Sequence, residues 1–322
     1  GEIMIEKQFK NLDEQIEIMK YKGLIITDEE YAKEVLLREN YFFLNGYRHL
    51  FMEEQGDKKF LPNTKFEELY SLFLFDRTLR TILFKNLLII ENNLKSITSY
   101  QLSKKYGYKE KDYLKEKNFT NNREKKRQVK DLINKMKRQI RINGREHTAT
   151  SHYVSNYGYI PLWILVKVLS FGIVSETYSI LKEEDQDQIA KIYHLKPETL
   201  ITYLPILANY RNLCAHEDIL FDNRTQKEID DNIYHQLLNI PKTEDGYIYG
   251  KNDLLALIII MKDMLKNDEF KGMMIEIENA VDTLDYNLST ISVEKVLNKM
   301  GFPKNWDELK DIERSYADSD EE

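Results

Sequence analysis

The segment from Asp76 to Lys104, "DRTLRTILFKNLLIIENNLKSITSYQLSK", holds no Gly or Pro and repeats apolar residues every three or four positions. Leu79, Leu83, Leu87, Ile90, Leu94 and Ile97 fall on one stripe of a helix, a pattern that a strand with its period of two does not produce. The spacing predicts one long helix from Asp76 to about Lys104, running on to a stop at Gly107. Across 322 residues there are only 12 Gly and 6 Pro, so little elsewhere interrupts a helical backbone. The expected fold class is all-α.

The remaining elements follow from caps and breakers. "LDEQIEIMKYK" (12–22) reads as a short amphipathic helix stopped by Gly23, and "TDEEYAKEVLLREN" as a second helix capped by Thr27 or Asp28. The aromatic run "YFFLNGYRHLF" (41–51) reads as irregular or short-strand structure around a Gly turn. "TKFE" (64–67) has capping-box spacing, with Thr64 and Glu67 satisfying each other's backbone N–H groups. "IPLWILVKVLSFGIVSETYSIL" (160–181) is a helix, a break at "SFG" and another helix. Pro197 suits the first turn of the next helix, and Pro205 is expected to kink it. Two more helices are expected over 252–283, then a packed turn at "MGFPKNW" (300–306) and a solvated tail, "ADSDEE". The organisation expected is an N-terminal helical and aromatic extension (1–63), a helical domain (64–285) with a basic insertion over about 105–150, and a C-terminal turn and acidic tail (286–322).

The formal net charge of −7 conceals an asymmetry. Residues 101–150 carry 16 Lys and Arg against 6 Asp and Glu, which leaves 31 against 48 for the rest. Within that segment "NNREKKRQVKDLINKMKRQIRI" has a narrow apolar stripe of Val129, Leu132, Ile133, Met136 and Ile140. Cations cover the remainder, the form of a helix that rests on the body and offers charge to a polyanion. The candidate RNA contacts are Lys104, Lys105, Arg123, Lys125, Lys126, Arg127, Lys130, Lys135, Lys137, Arg138 and Arg141. Nearby tyrosines (Tyr106, Tyr108, Tyr113, Tyr153, Tyr157, Tyr159) have the chemistry to stack on unpaired bases, although surface tyrosine is common in so Tyr-rich a chain.

Several function classes drop out. A single cysteine, Cys214, excludes an internal disulfide framework and a Cys-rich zinc site, and it fits a reducing cytoplasm. The longest apolar run, "LLALIIIM" (254–261), is too short to cross a bilayer and reads as a buried helix. The opening "GEIMIEKQF" has no secretory pattern, so the expected location is cytoplasmic, with no membrane partner. There is no Gly-rich phosphate loop and no nucleophile elbow. His147 and His152 flank "TATS" without carboxylates at ligand spacing, and His49 and His194 read as structural, so neither a metal nor a cofactor is expected.

"YRNLCAHEDIL" (210–220) gathers an arginine, an asparagine and a histidine. Asn212 and His216 are four apart and share a helix face, and Arg211 lies about 140° round, within reach over the flank. Histidine titrates near neutrality, and a guanidinium matches a phosphate. Together they suit attack of a ribose 2′-hydroxyl on its own phosphodiester, with His216 moving the proton and Arg211 and Asn212 holding the developing charge. An Arg and a His at this spacing also arise by chance, with the His packing or capping a helix, so spacing alone leaves both readings open. Cys214 reads as a small core residue.

The stretch "YRNLCAH" resembles the R-x4-6-H motif of the HEPN superfamily, helical ribonucleases whose active site is an Arg, a polar residue and a His. Further stretches resemble the Abi-like (AbiD/AbiF) abortive-infection proteins: "EQIEIMKYKGLIITDEEYA", "FLNGYRH", "LFDRTLRTILFKNLLIIENNLKSITSYQLSKKYG", "PLWILVKVLSFGIVSETYSIL" and "MGFPKNW". The likeness covers nearly the whole chain and is weakest over 108–150. It implies a HEPN-type helical bundle and a metal-independent endoribonuclease or toxin-like protein of bacterial anti-phage defence. Arg211, Asn212 and His216 would be its catalytic residues, and Asp76, Arg80 and Glu91 its supporting charges on the first long helix. Glu91 either orients Arg211 across the bundle or pairs with another base. The implied partners are RNA, as substrate and as a small non-coding antitoxin, and a second copy of the chain. One His cannot readily serve as both base and acid, so two motifs are expected to face each other in a homodimer joined through 160–181 and 197–216. The alternative is a non-catalytic or restrained module that holds a structured small RNA. A purely protein-binding scaffold would leave the basic insertion without a purpose.

Overall fold

The structure is a computed structural model that describes residues 7–314. Its organising element is α4, 41 residues from Phe66 to Tyr106, about 60 Å long at a rise of about 1.5 Å per residue. The expected stripe is in place: Leu79, Leu83, Leu87, Ile90 and Leu94 are buried and Ile97 is partly so. The helix starts ten residues before Asp76 because Phe66, Leu69, Leu72, Phe73 and Phe75 extend the buried face toward the N-terminus. Gly107, with φ +96°, ends it.

Three helices precede it: α1 (Leu12–Tyr21), α2 (Glu29–Glu39) and α3 (Tyr41–Asn45). Asp28, the expected cap of α2, accepts from the Tyr31 N–H at 3.0 Å. The run 41–51 is helical rather than strand-like, with α3 followed by a 3-10 turn at Arg48–Phe51. Its aromatic residues suggest strand, but Leu44, Tyr47, Leu50 and Phe51 recur at helical spacing and are the ones buried. The capping at α4 also differs from expectation. Glu68, not Glu67, reaches back to the N–H of Lys65 at 3.2 Å, while the Thr64 hydroxyl donates to the Leu61 carbonyl at 2.7 Å. Glu68 is itself buried, between α4 and the turn at 289–290. There it also takes the N–H groups of Ser289 and Thr290, both at 2.7 Å. Burial works to raise the Glu68 carboxyl, but the Thr290, Ser289 and Lys65 donors hold it below the ordinary range.

Beyond α4 come α5 (Glu110–Tyr113), the basic helix α6 (Lys126–Glu146), α7 (Thr148–Tyr157), α8 (Leu162–Val168), α9 (Phe171–Ser179), α10 (Glu183–Ile192) and α11 (Pro197–Ala215). The "SFG" break is a cap, with the Ser170 hydroxyl accepting from the Ile173 N–H at 3.2 Å. α11 runs unbroken through Pro205, whose side chain is exposed. A short helix α12 (Ile233–Leu237) and a two-stranded ribbon, β1 (Lys242–Thr243) with β2 (Gly246–Tyr247), lead to α13 (Leu254–Met264), α14 (Asn267–Asn287) and α15 (Val293–Met300). "LLALIIIM" forms most of α13 and is buried throughout. α8, α10, α11 and α14 all pack along α4, and the buried side chains from Ile16 to Leu309 make one core. The fold is all-α apart from that ribbon and isolated bridges among the described residues. No helix among them is long and apolar enough to cross a membrane. The helices expected to meet a second chain, α8, α9 and α11, bury most of their apolar side chains inside this one. The acidic tail "ADSDEE" and the first six residues lie outside the described residues.

Candidate functional site

The motif of 210–220 sits where α11 ends. His216 is its C-cap residue, with its N–H on the Asn212 carbonyl at 3.0 Å. The next two N–H groups turn back as well, Glu217 to Cys214 at 3.4 Å and Asp218 to Leu213 at 3.2 Å. That pair of bonds usually relies on glycine in the left-handed position, but here Glu217 holds it at φ +56°. His216 and Asn212 are exposed and Cys214 is buried, its thiol pushed up to about 12 by burial. Arg211 turns the other way, toward α4. Its Nε donates to Glu91 at 3.1 Å and its guanidinium lies over the Phe84 ring at 5.5 Å. The second Glu91 oxygen takes Lys95 at 3.0 Å, so Glu91 both orients Arg211 and pairs with another base.

Asp76 and Arg80 do something different. Asp76 is fully buried and accepts from Tyr47 Oη (2.5 Å), Arg80 Nη1 (2.7 Å) and the N–H groups of Phe221 (2.9 Å) and Leu220 (3.0 Å). Burial pushes its carboxyl up, and these donors pull it back. Arg80 Nη1 also donates to the Asp218 carbonyl at 3.1 Å. The two residues clamp the loop that follows His216. Tyr47 joins the clamp by stacking on Phe221 at 6.0 Å. A Cβ on Gly46 would meet the Ile219 side chain at 3.0 Å and the Phe43 carbonyl at 3.2 Å, so the glycine lets the two walls approach closely.

That clamp forms a cleft of about 1290 Å³ between residues 37–49 and 216–219, floored by Phe73, Arg77 and Arg80. His216 and His49 both line it, with Arg38 and Arg48. Arg77 is held by Glu39 in a paired contact of 3.0 and 2.5 Å, and hydrogen bonds from Arg77 keep the Glu39 carboxyl below its usual range. Arg211 and Asn212 are not in this lining. The structure therefore groups His216 with Arg80, with His49, which the sequence reading took as structural, and with Arg48 and Arg77, which it passed over. Their only sequence signal is the "GYRH" run and the arginine after Asp76, far from the motif along the chain.

The basic insertion keeps its charge outward. α6 buries Val129, Leu132, Ile133 and Met136 and leaves Arg123, Lys126, Arg127, Lys130, Lys137, Arg138 and Arg141 exposed along it and the turn before it. Four of the candidate contacts are engaged within the chain, Arg127 only loosely, with Asp131 at 3.9 Å on the exposed face. Lys105 is paired with Glu184 (2.5 Å) and Asp185 (2.7 Å), Lys125 Nζ donates to the Ser179 carbonyl at 2.9 Å, and Lys135 meets Glu176 at 3.1 Å. Lys104 is exposed. His147 caps α7 through Thr150. Among the described residues no group of three or more His, Cys, Asp or Glu is placed to hold a metal ion.

Comparison with known proteins adds one finding. A family model described as Abi-like protein matches residues 34–222, more than half the chain, a span that contains both walls of the cleft, the long helix, the basic insertion and the motif. No curated protein and no solved structure matches. The chain belongs to the Abi-like protein family.

Proposed function

We propose that, within the abortive-infection defence its family implies, this chain is a HEPN-type endoribonuclease that needs no metal. The observation that carries the reading is the placement of His216 at the end of α11, exposed to a cleft walled by arginines and holding a second imidazole. The ribose 2′-oxygen attacks the adjacent phosphorus as one imidazole takes its proton. The P–O5′ bond breaks as the other imidazole protonates the departing oxygen. The products are a 2′,3′-cyclic phosphate and a 5′-hydroxyl. Arg48 supplies positive charge where the phosphoryl oxygens gain negative charge, while Arg77 and Arg80 border the cleft paired with Glu39 and Asp76. His49 provides the second proton-transfer group within one chain. Pairing of two chains through a two-fold axis, with the rim side chains Leu37, Phe42 and Phe43 as exposed apolar surface beside the cleft, is the other source of one.

A second reading has its own support. Arg211 is committed to Glu91 and Phe84 and does not line the cleft, as expected of a site at rest or one that holds RNA without cutting it. A single comparison separates the two: RNA cleavage by the wild type and by His216→Ala at matched RNA binding, each with excess EDTA. Cleavage by the wild type alone, undiminished by chelation, supports the nuclease. Equal binding with no cleavage by either supports the holding module, and cleavage that chelation abolishes and a divalent ion restores overturns the mechanism.

A further inference from the structure

Beside the basic helix the chain exposes a ladder of aromatic rings. Along it, neighbouring centroids lie at 6.2 Å (His152–Tyr157), 5.3 Å (Tyr153–Tyr157), 6.3 Å (Tyr157–Tyr159), 5.8 Å (Tyr159–Tyr108) and 5.8 Å (Tyr108–Trp163). Tyr157 is 58% exposed, Trp163 43% and Tyr108 42%. Rings that serve only the fold go inward, as the neighbours show. Tyr113 is buried with its hydroxyl on the Ile160 carbonyl at 2.7 Å, and Tyr106 is tied to Asp185 at 2.5 Å. The ladder leaves large apolar faces in water, which marks a surface that meets something.

The charges around it say what. Lys109 holds its ammonium over Tyr159 at 5.0 Å and over Tyr108 at 5.9 Å. α6 packs directly on α7, which carries His152, Tyr153 and Tyr157, and the last turns of α6 expose Lys137, Arg138, Arg141 and Arg145. Glu110, the carboxylate nearest in the chain, is occupied by the Ile160 N–H at 2.7 Å. Exposed rings bordered by cations fit a strand whose bases are free and whose phosphates need partners. A duplex hides those base faces inside its own stack.

We propose that Tyr108, Tyr157, Tyr159 and Trp163 form a stacking platform for unpaired bases of RNA, with Lys109 and the exposed cations of α6 along the phosphates. The inference rests on RNA being the ligand in the proposed function but not on its being cut.

The test uses the full chain and a single-stranded decamer of 2′-O-methyl RNA, which has no nucleophilic hydroxyl and cannot be cleaved by the route above. A duplex of the same length is the comparison. The chain has 2 Trp, and Trp306 is buried against Phe302 at 5.0 Å, so a change in fluorescence reports Trp163. The single strand should quench that signal and the duplex should not. Trp163→Ala and Tyr157→Ala should each weaken single-strand binding roughly ten-fold. The slope of affinity against salt should stay unchanged, because no phosphate contact is lost. Trp163→Phe should retain most of the affinity, and unchanged helical circular dichroism certifies the fold of each variant. Wild-type affinity in both Ala variants, or equal binding and quenching by the duplex, overturns the proposal and leaves the face for a protein partner. A chain that stacks the decamer yet never cuts RNA refutes only the nuclease reading. A chain that cuts RNA and binds the decamer at wild-type strength without Trp163 and Tyr157 refutes only this one.

Discussion

Arg211 and Glu91 face each other at 3.1 Å, from α11 to α4, 120 residues apart in the chain. The contact fixes the guanidinium one turn behind His216 and holds it against Phe84. Glu91→Gln keeps the shape and removes the charge that aims Arg211. With Arg211 loosened from its hold outside the cleft, RNA cleavage should rise roughly three- to ten-fold while affinity for uncleavable RNA stays the same. Unchanged turnover in Glu91→Gln would reduce the pair to a structural bond between two helices.

His216 and His49 line one cleft, and the mechanism assigns them opposite halves of a proton transfer. Each alanine variant should lose roughly a hundred- to ten-thousand-fold in rate with the helical signal intact. The wild-type rate should rise and then fall with pH, and each variant should keep only one of those limbs. If His49→Ala retains both limbs and the wild-type rate, the second group comes from a partner chain. Light scattering should then give twice the 38.4 kDa of one chain.

The Asp76 clamp is an effect on stability first. Asp76→Ala strands two backbone N–H groups, the Tyr47 hydroxyl and the buried Arg80 guanidinium. The loss should be about 3–5 kcal/mol in urea unfolding. A change below about 1 kcal/mol would mean that the 218–221 loop holds its place without the carboxylate.

Neutralising Lys126, Arg127, Lys130 and Arg138, which are exposed, should weaken RNA binding and flatten its dependence on salt, since fewer counterions are released. The same treatment of Lys105, held by Glu184 and Asp185, should disturb the fold at α10 and leave the salt slope as it was. Equal slopes in wild type and the quadruple variant would make the cationic face of α6 a solvated surface only.

Lys262 is buried on α13, with its ammonium on the Leu309 carbonyl at 2.8 Å and over the Phe270 ring at 4.8 Å. Burial lowers its pKa to about 8 from the ordinary 10.5. Between those values the unfolded chain binds the extra proton, so stability should rise with pH across that window and be lower beneath it. Lys262→Met should abolish that dependence in melting curves taken from pH 7 to 10. A persisting rise would trace it to another group.

Local patterns were legible and long-range pairings were not. The stripe of Val129, Leu132, Ile133 and Met136 reports its own helix because the buried side of an amphipathic helix is written at a fixed period. Residues 41–51 read as irregular or short-strand because aromatic residues lean toward strands, and burial of Leu44, Tyr47 and Phe51 against the core overrode that tendency. The capping box shifted by one residue because the buried Glu68 also takes the distant N–H groups of Ser289 and Thr290. In the candidate site, the arginine, asparagine and histidine of one helix were visible as a cluster. What divides them is the direction of α11's flank: Arg211 meets α4 and His216 meets the cleft. His49 read as structural because its neighbourhood is built by Gly46 on Ile219 and Tyr47 on Asp76, contacts that no local spacing announces.

The length of α4 sets the distance that one RNA strand would span on the proposed reading. Arg80 borders the cleft, and Leu102 shares a small cavity with Leu162, the residue before Trp163. The 22 residues between them put the two sites about 33 Å apart along the helix axis. A stacked strand advances about 3.4 Å per nucleotide, so one molecule must be roughly ten nucleotides long to occupy both. A shorter oligonucleotide reaches either the aromatic ladder or the histidines. On the proposed reading the rigid helix would favour long strands, since only these could engage both sites at once.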